Sequence, residues 1–151
     1  MKICASELNE LPAINDLISR SKSFWSYDED YLRQAIPIIQ VTEQWLKDHE
    51  GYSIYLEELV GFMGLEIEGE NVTLRHLWIH PDMVRKGFGT KIVNYLRELS
   101  RERGFQSIRF ISEPPAEGFY RKLGAEFTGE VVPSKVKGGP LFHEMIFTIT
   151  S

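Results

Sequence analysis

The chain has 151 residues, 42% of them hydrophobic, one cysteine and a formal charge of −5, enough for one domain, 1–151, with roughly two-thirds of its unfolded surface buried. Cys4 has no partner within the chain, and His49, His76, His80 and His143 lack Cys or His neighbours at zinc-site spacing, so neither a disulfide nor a metal is expected. The acidic balance argues against a nucleic-acid partner, and the absence of a signal-like core or a long uncharged stretch argues against a membrane partner and for a cytoplasmic setting.

In chain order, KICA (Lys2–Ala5) reads as a short strand, and Leu11, Ile14, Leu17 and Ile18 recur at helical spacing behind it. SYDEDYLRQAI reads as a helix that opens with Ser26 and Glu29 as a capping box and closes before Pro37. TEQWLKDHEG follows as a short helix stopped by Gly51. From there the period changes: YSIYLEE, LVGFMGLEI and NVTLRHLWI are rich in β-branched and aromatic residues and predict a three-stranded antiparallel meander. Between Gly89 and Arg103, Ile92, Val93, Leu96 and Leu99 form an apolar helical stripe ended by Gly104, and SIRFIS is the next strand. Such a strand-helix-strand run implies parallel neighbours joined by a right-handed crossover. AEGFYRKLG reads as a short helix, with AEFTGEVV and LFHEMIFTI as closing strands. The fold class is therefore mixed α/β, a mostly antiparallel sheet with one parallel crossover and helices on both faces.

The charge is unevenly distributed. Residues 1–70 carry 14 Asp and Glu against 5 Lys and Arg, net −9, whereas residues 71–151 carry 8 against 12, net +4. Two ligands of opposite sign, or two differently solvated faces, would account for this. The basic half contains VRKGFGTK (Val84–Lys91), which joins the last meander strand to the amphipathic helix. A glycine turn feeding a helix N-terminus presents free backbone N–H groups at the positive end of the dipole, with Arg85, Lys86 and Lys91 adding charge, which reads as a phosphate site or, alternatively, as a tight turn with a solvated basic rim. The spacing of Gly87 and Gly89 fits neither a P-loop nor a dinucleotide fingerprint.

LWIHPDMVRKGFGTKIV resembles the cofactor motif of the GNAT superfamily of N-acetyltransferases, [RQ]-x-x-G-x-[GA] after a hydrophobic strand, and AEGFYRKLGA resembles that superfamily's last helix. The element order is similar over nearly all of the chain. The resemblance implies a GNAT-like acyl-CoA N-acyltransferase fold with acetyl-CoA as cofactor. Its pyrophosphate would lie on Arg85, Lys86, Gly87, Phe88, Gly89 and Thr90, its pantetheine along Leu77, Trp78 and Ile79, and Phe119 beside it. Tyr120 would protonate the departing thiolate. Thr73 stands roughly where some members place a catalytic Glu, which leaves His76 or a water as the base, with the Leu77 N–H polarising the acetyl carbonyl. Two departures are visible: Val84 occupies the [RQ] position, and Pro115 replaces an Asn often found before the last helix.

The acceptor by this resemblance is a primary amine of a small molecule or of a peptide amino terminus. Trp25, Tyr27 and Asp28, in the stretch joining the first two helices, could form an aromatic and acidic wall for it, or equally a hydrophobic staple and an acidic first helical turn. The alternative function is a non-catalytic acyl-CoA-binding sensor or assembly module of the same fold, and a homodimer is left open.

Overall fold

The computed structural model describes residues 1–150. Strand β1 (Lys2–Ala5) is followed by helices α1 (Leu11–Phe24), α2 (Glu29–Ile39) and α3 (Glu43–Asp48), then by the meander β2 (Glu50–Tyr55), β3 (Leu59–Glu68) and β4 (Asn71–Ile79). Helix α4 (Phe88–Arg103), strand β5 (Ser107–Ile111), helix α5 (Glu117–Lys122) and strands β6 (Glu126–Pro133) and β7 (Leu141–Thr148) complete the chain. The strands form a seven-stranded sheet in the order β1-β2-β3-β4-β5-β7-β6. It is mostly antiparallel, with one parallel pair, β4 and β5, on either side of α4 in sequence. No helix among the described residues is long and apolar enough to cross a membrane.

The chain divides into two compact units, Met1–Leu65 with His76–Lys86 and Glu66–Arg75 with Gly87–Ser151. In the first, Leu11, Ile14, Leu17 and Ile18 of α1 bury their shared stripe against Val41 and Phe62, with Trp45, Leu46 and Trp78 packed around them. Each such side chain contributes roughly 1.5–3 kcal/mol when fully withdrawn from water, so the helical spacing is what holds α1 in place. In the second, Ile92, Val93 and Leu96 of α4 are buried, as are Ile108, Phe110, Met145 and Phe147 of β5 and β7. The Phe110 and Phe147 rings stack at 5.3 Å.

Three helix boundaries differ from the sequence reading: α3 ends at Asp48 with His49 as its C-cap, and Gly51, already inside β2, does not stop it. The cap of α2 is Asp28, whose carboxylate accepts the N–H of Asp30 at 3.3 Å. Ser26 instead lies in a tight turn where the Tyr27 N–H donates to the Trp25 carbonyl at 2.7 Å. The same helix runs through Pro37 to Ile39 rather than stopping before the proline. Proline there removes only the bond to the carbonyl of Arg33, and both residues are exposed, so water can serve the freed oxygen.

Candidate functional site

The basic turn is built in steps from the end of β4. His80 caps a single 3-10 turn, Pro81–Met83, its Nδ1 accepting the Asp82 N–H at 3.1 Å. Val84 is extended, and Arg85 then enters the left-handed region at φ +66°, the one non-glycine among the described residues to do so. A side chain held there costs about 1–2 kcal/mol, and such strain concentrates at ligand clamps. Gly87 is left-handed as well, at φ +76° and ψ 2°, and is the N-cap of α4. No side chain caps this helix and no acidic residue stands in its first turn. The N–H groups of Phe88, Gly89 and Thr90 thus lack both a cap and a competing carboxylate. Arg85, Lys86 and Gly87 are exposed, whereas the Phe88 side chain is buried, so only its main chain can serve a ligand.

Strand β4 supplies a second feature. The His80 N–H donates to Val60 of β3 at 2.8 Å. By the two-residue alternation, Leu77 and Ile79 therefore turn their backbone groups to the opposite edge of β4. The parallel register with β5 runs from Asn71 opposite Ser107 to Leu74 opposite Phe110, and β4 continues beyond it to Ile79. At that end the Ile79 N–H donates to the buried Ser21 Oγ of α1 at 3.3 Å.

His76 is 8% exposed and enclosed by aromatic rings, Trp45 at 5.1 Å edge-on, Phe62 at 5.7 Å and Trp78 at 6.5 Å. The Trp78 indole N–H donates to His76 Nδ1 at 3.0 Å, which spends that lone pair and puts the proton of the neutral ring on Nε2.

Tyr120 sits on α5, half-buried, its ring 4.7 Å from Phe110 and 5.1 Å from Phe119. Helix α5 is tied to α4 by Arg97, whose guanidinium donates to the Leu123 carbonyl and lies over the Phe147 ring at 4.4 Å. Burial, with the charge of Glu113 adding to it, pushes the Tyr120 phenol above its ordinary value near 10. The group therefore stays protonated through the physiological range.

Trp25 ends α1, packed edge-on to Phe24 at 5.1 Å. The Tyr27 ring already faces a cation of the chain itself: the ammonium of Lys22, 2% exposed, lies 4.7 Å from it and 5.2 Å from Tyr31. Asp28 is engaged as the α2 cap. The structure thus gathers Trp25, Tyr27 and Asp28 around the α1–α2 turn, with the aromatic face occupied from within. Sequence reading missed Lys22 and Ser21, since nothing local marks a helical Lys or Ser as buried.

A mostly antiparallel seven-stranded sheet with one parallel pair, β4 and β5, joined through α4, sets the class of fold. Comparison with known proteins makes it specific. The model of the acetyltransferase (GNAT) family matches residues 11–125, and the chain belongs to that family. Its curated relatives include an uncharacterized N-acetyltransferase, ycf52, of Pyropia yezoensis, 34% identical over 68 residues, 44% of this chain and 39% of that protein. The matched stretch thus spans about two-fifths of that relative's length. Among solved structures, the chain is similar to the PaiA N-acetyltransferase of Thermoplasma acidophilum in complex with coenzyme A. The TM-score is 0.75 and the identity 18%, over 98% of this chain and 99% of that one. A GCN5-related N-acetyltransferase of Rhodopseudomonas palustris gives a TM-score of 0.81 at 16% identity, over 98% of this chain and 95% of that one.

Proposed function

We propose that this N-acetyltransferase moves an acetyl group from acetyl-CoA directly to a primary amine of a small molecule or of a peptide amino terminus. The observation that carries the reading is the turn: left-handed Arg85 and Gly87 open an uncapped α4 beside exposed cations, an anion receptor made largely of main chain. A pyrophosphate fits that donor set. Val84 offers no polar contact, a loss of typically about 1.5–3 kcal/mol relative to a charge-assisted bond, while the main-chain donors remain.

Acetyl-CoA, when bound, supplies an activated thioester. Around it Arg85, Lys86 and the N–H groups from Gly87 to Thr90 would hold the pyrophosphate, and the edge of β4 at Leu77 and the Ile79 carbonyl would align the pantetheine, with Phe119 covering it; Trp78, whose backbone faces β3 by the same alternation as His80, could serve only through its side chain. The Leu77 N–H would polarise the thioester carbonyl and Tyr120 would supply the proton for the departing sulfur. Trp25, Tyr27 and Asp28 form one rim for the acceptor. Because Lys22 already lies on the Tyr27 ring, that rim suits an amine held by its neutral part better than a bare cation.

Gly89→Asp tests the turn. An acidic residue in the first helical turn supports the helix, so the fold should persist, yet its carboxylate meets the N–H groups meant for phosphate. Calorimetric titration with coenzyme A should show binding by wild type and none by the variant. Equal affinities would remove the turn as the coenzyme site. The non-catalytic reading is separated by thiol release from acetyl-CoA with a polyamine, an aminoglycoside and an alanyl peptide, where a pure binder gives background rates.

A further inference from the structure

The mechanism above lacks a protein base, since the Nδ1 lone pair of His76 is spent on Trp78 inside an aromatic enclosure. A different histidine has the arrangement such a role requires. His143 of β7 lies with Nδ1 3.1 Å from Oε2 of Glu117, their side chains 47% and 20% exposed. A carboxylate at Nδ1 holds the N–H there and leaves the lone pair on Nε2. The Phe127 ring meets the imidazole edge-on at 5.7 Å and limits its rotation.

The placement follows from register. Met145 stands opposite Phe110 of β5, and His143, two residues along β7, shares its face of the sheet. Tyr120 rests on Phe110 at 4.7 Å. Glu117 and Tyr120, three apart on α5, are neighbours on one helix face. The proton donor and a carboxylate-held imidazole therefore stand over the same patch of sheet. The other charged groups on the elements packed there include Arg121 of α5, 5.2 Å from the Phe127 ring, Lys122 beside it on α5, Arg97 of α4 over the Phe147 ring, and Glu113, whose charge acts on Tyr120. Glu144, bonded to Arg109 and Thr128, belongs to the opposite face by the alternation along β7.

Resting on the proposed acetyl transfer, we infer that His143, oriented by Glu117, is the base that deprotonates the acceptor ammonium. Nε2 takes one proton from the ammonium, directly or through one water, and later passes it to solvent. The neutral nitrogen attacks the thioester carbonyl, the C–N bond forms and the C–S bond breaks. Tyr120 protonates the sulfur, and the second proton shed by nitrogen restores the phenol. One proton is released per turnover and no other reactant is needed.

The test uses whichever of the polyamine, aminoglycoside and alanyl peptide gives the highest wild-type rate. His143→Asn should lower kcat/KM for that amine at pH 7 by about 10²–10⁴-fold. The deficit should close as pH approaches the acceptor's own pKa, near 10.4 for an alkylamine, because a free amine needs no base. Glu117→Gln should give about a 10- to 100-fold loss with the same closing, which covers the case in which His143→Asn does not fold. Coenzyme A affinity should match wild type in both. A deficit below threefold at pH 7, a deficit equal at every pH, or joint loss of coenzyme affinity and turnover in both variants would overturn the inference while wild-type turnover keeps the proposed function. Absence of wild-type turnover with every amine would take both away.

Discussion

Gly87→Ala isolates the strain stored in the turn. An ideal Cβ at Gly87 meets no heavy atom within 4 Å, so the substitution introduces no clash. What it adds is the cost of holding an L-residue at φ +76°, about 1–2 kcal/mol. That cost must appear in one of two places. If the turn keeps its shape, the free protein loses the full amount, and at roughly 2–4 °C per kcal/mol for a chain of this length Tm falls by about 2–8 °C. If the turn relaxes, the free protein is spared and the cost is met on binding, weakening coenzyme A by about 5- to 30-fold. Thermal melts paired with calorimetric titration measure both shares, which together should come to about 1–2 kcal/mol. Gly87→Asn should recover much of the loss, since Asn tolerates the left-handed region. An alanine variant with unchanged Tm and unchanged affinity, or an asparagine variant no better than alanine, would refute the reasoning.

Three further outcomes are expected. Tyr120→Phe keeps the ring against Phe110 and deletes a hydroxyl that has no hydrogen-bond partner among the described residues, so kcat should fall about 10²–10⁴-fold with Tm and coenzyme affinity nearly unchanged; an unchanged kcat would return Tyr120 to a packing role. If the acidic residues of the first 70 steer a cationic acceptor, its kcat/KM should fall with added salt over the range in which the screening length shrinks below about 10 Å, and a flat salt profile removes the steering. The Glu10 hydrogen bond, with burial and the Glu10 charge adding to it, pushes the Tyr55 phenol up to about 12. The folded state then holds this proton more tightly than the unfolded one, so stability is intact below pH 10 and is lost as pH rises toward 12; urea midpoints at pH 9 and 11 should diverge for wild type and less for Tyr55→Phe.

What could be read from the sequence was whatever a local period or a local turn records. The α1 stripe and the switch to alternation after Gly51 each identify an element within a short window, as does the parallel pair around α4. Gly104 also stops α4 in the left-handed conformation, at φ +75°. The Ser26–Glu29 spacing misplaced the start of α2 because the extended path through Trp25 and the tight turn at Ser26 bring Asp28, two residues further on, to the cap. The turn was legible as glycines and cations, but the positive φ of Arg85 was not, because the residue type itself disfavours it. Contacts such as Ser21 with Ile79, separated by 58 residues, and Glu117 with His143, separated by 26, exist only once helices and strands have been packed. His143 accordingly looked like one more isolated histidine until β7 was placed beside β5.

The most direct test follows the acetyl group itself. Protein incubated with acetyl-CoA carrying an isotope-labelled acetyl group is offered the polyamine, the aminoglycoside and the alanyl peptide, and both the amines and the released thiol are quantified by mass spectrometry. Acetyl transfer predicts that at least one amine gains a single labelled acetyl per thiol released, at a rate that Tyr120→Phe lowers. Saturable coenzyme binding with no labelled amine, and thiol release no faster than without protein, would contradict it.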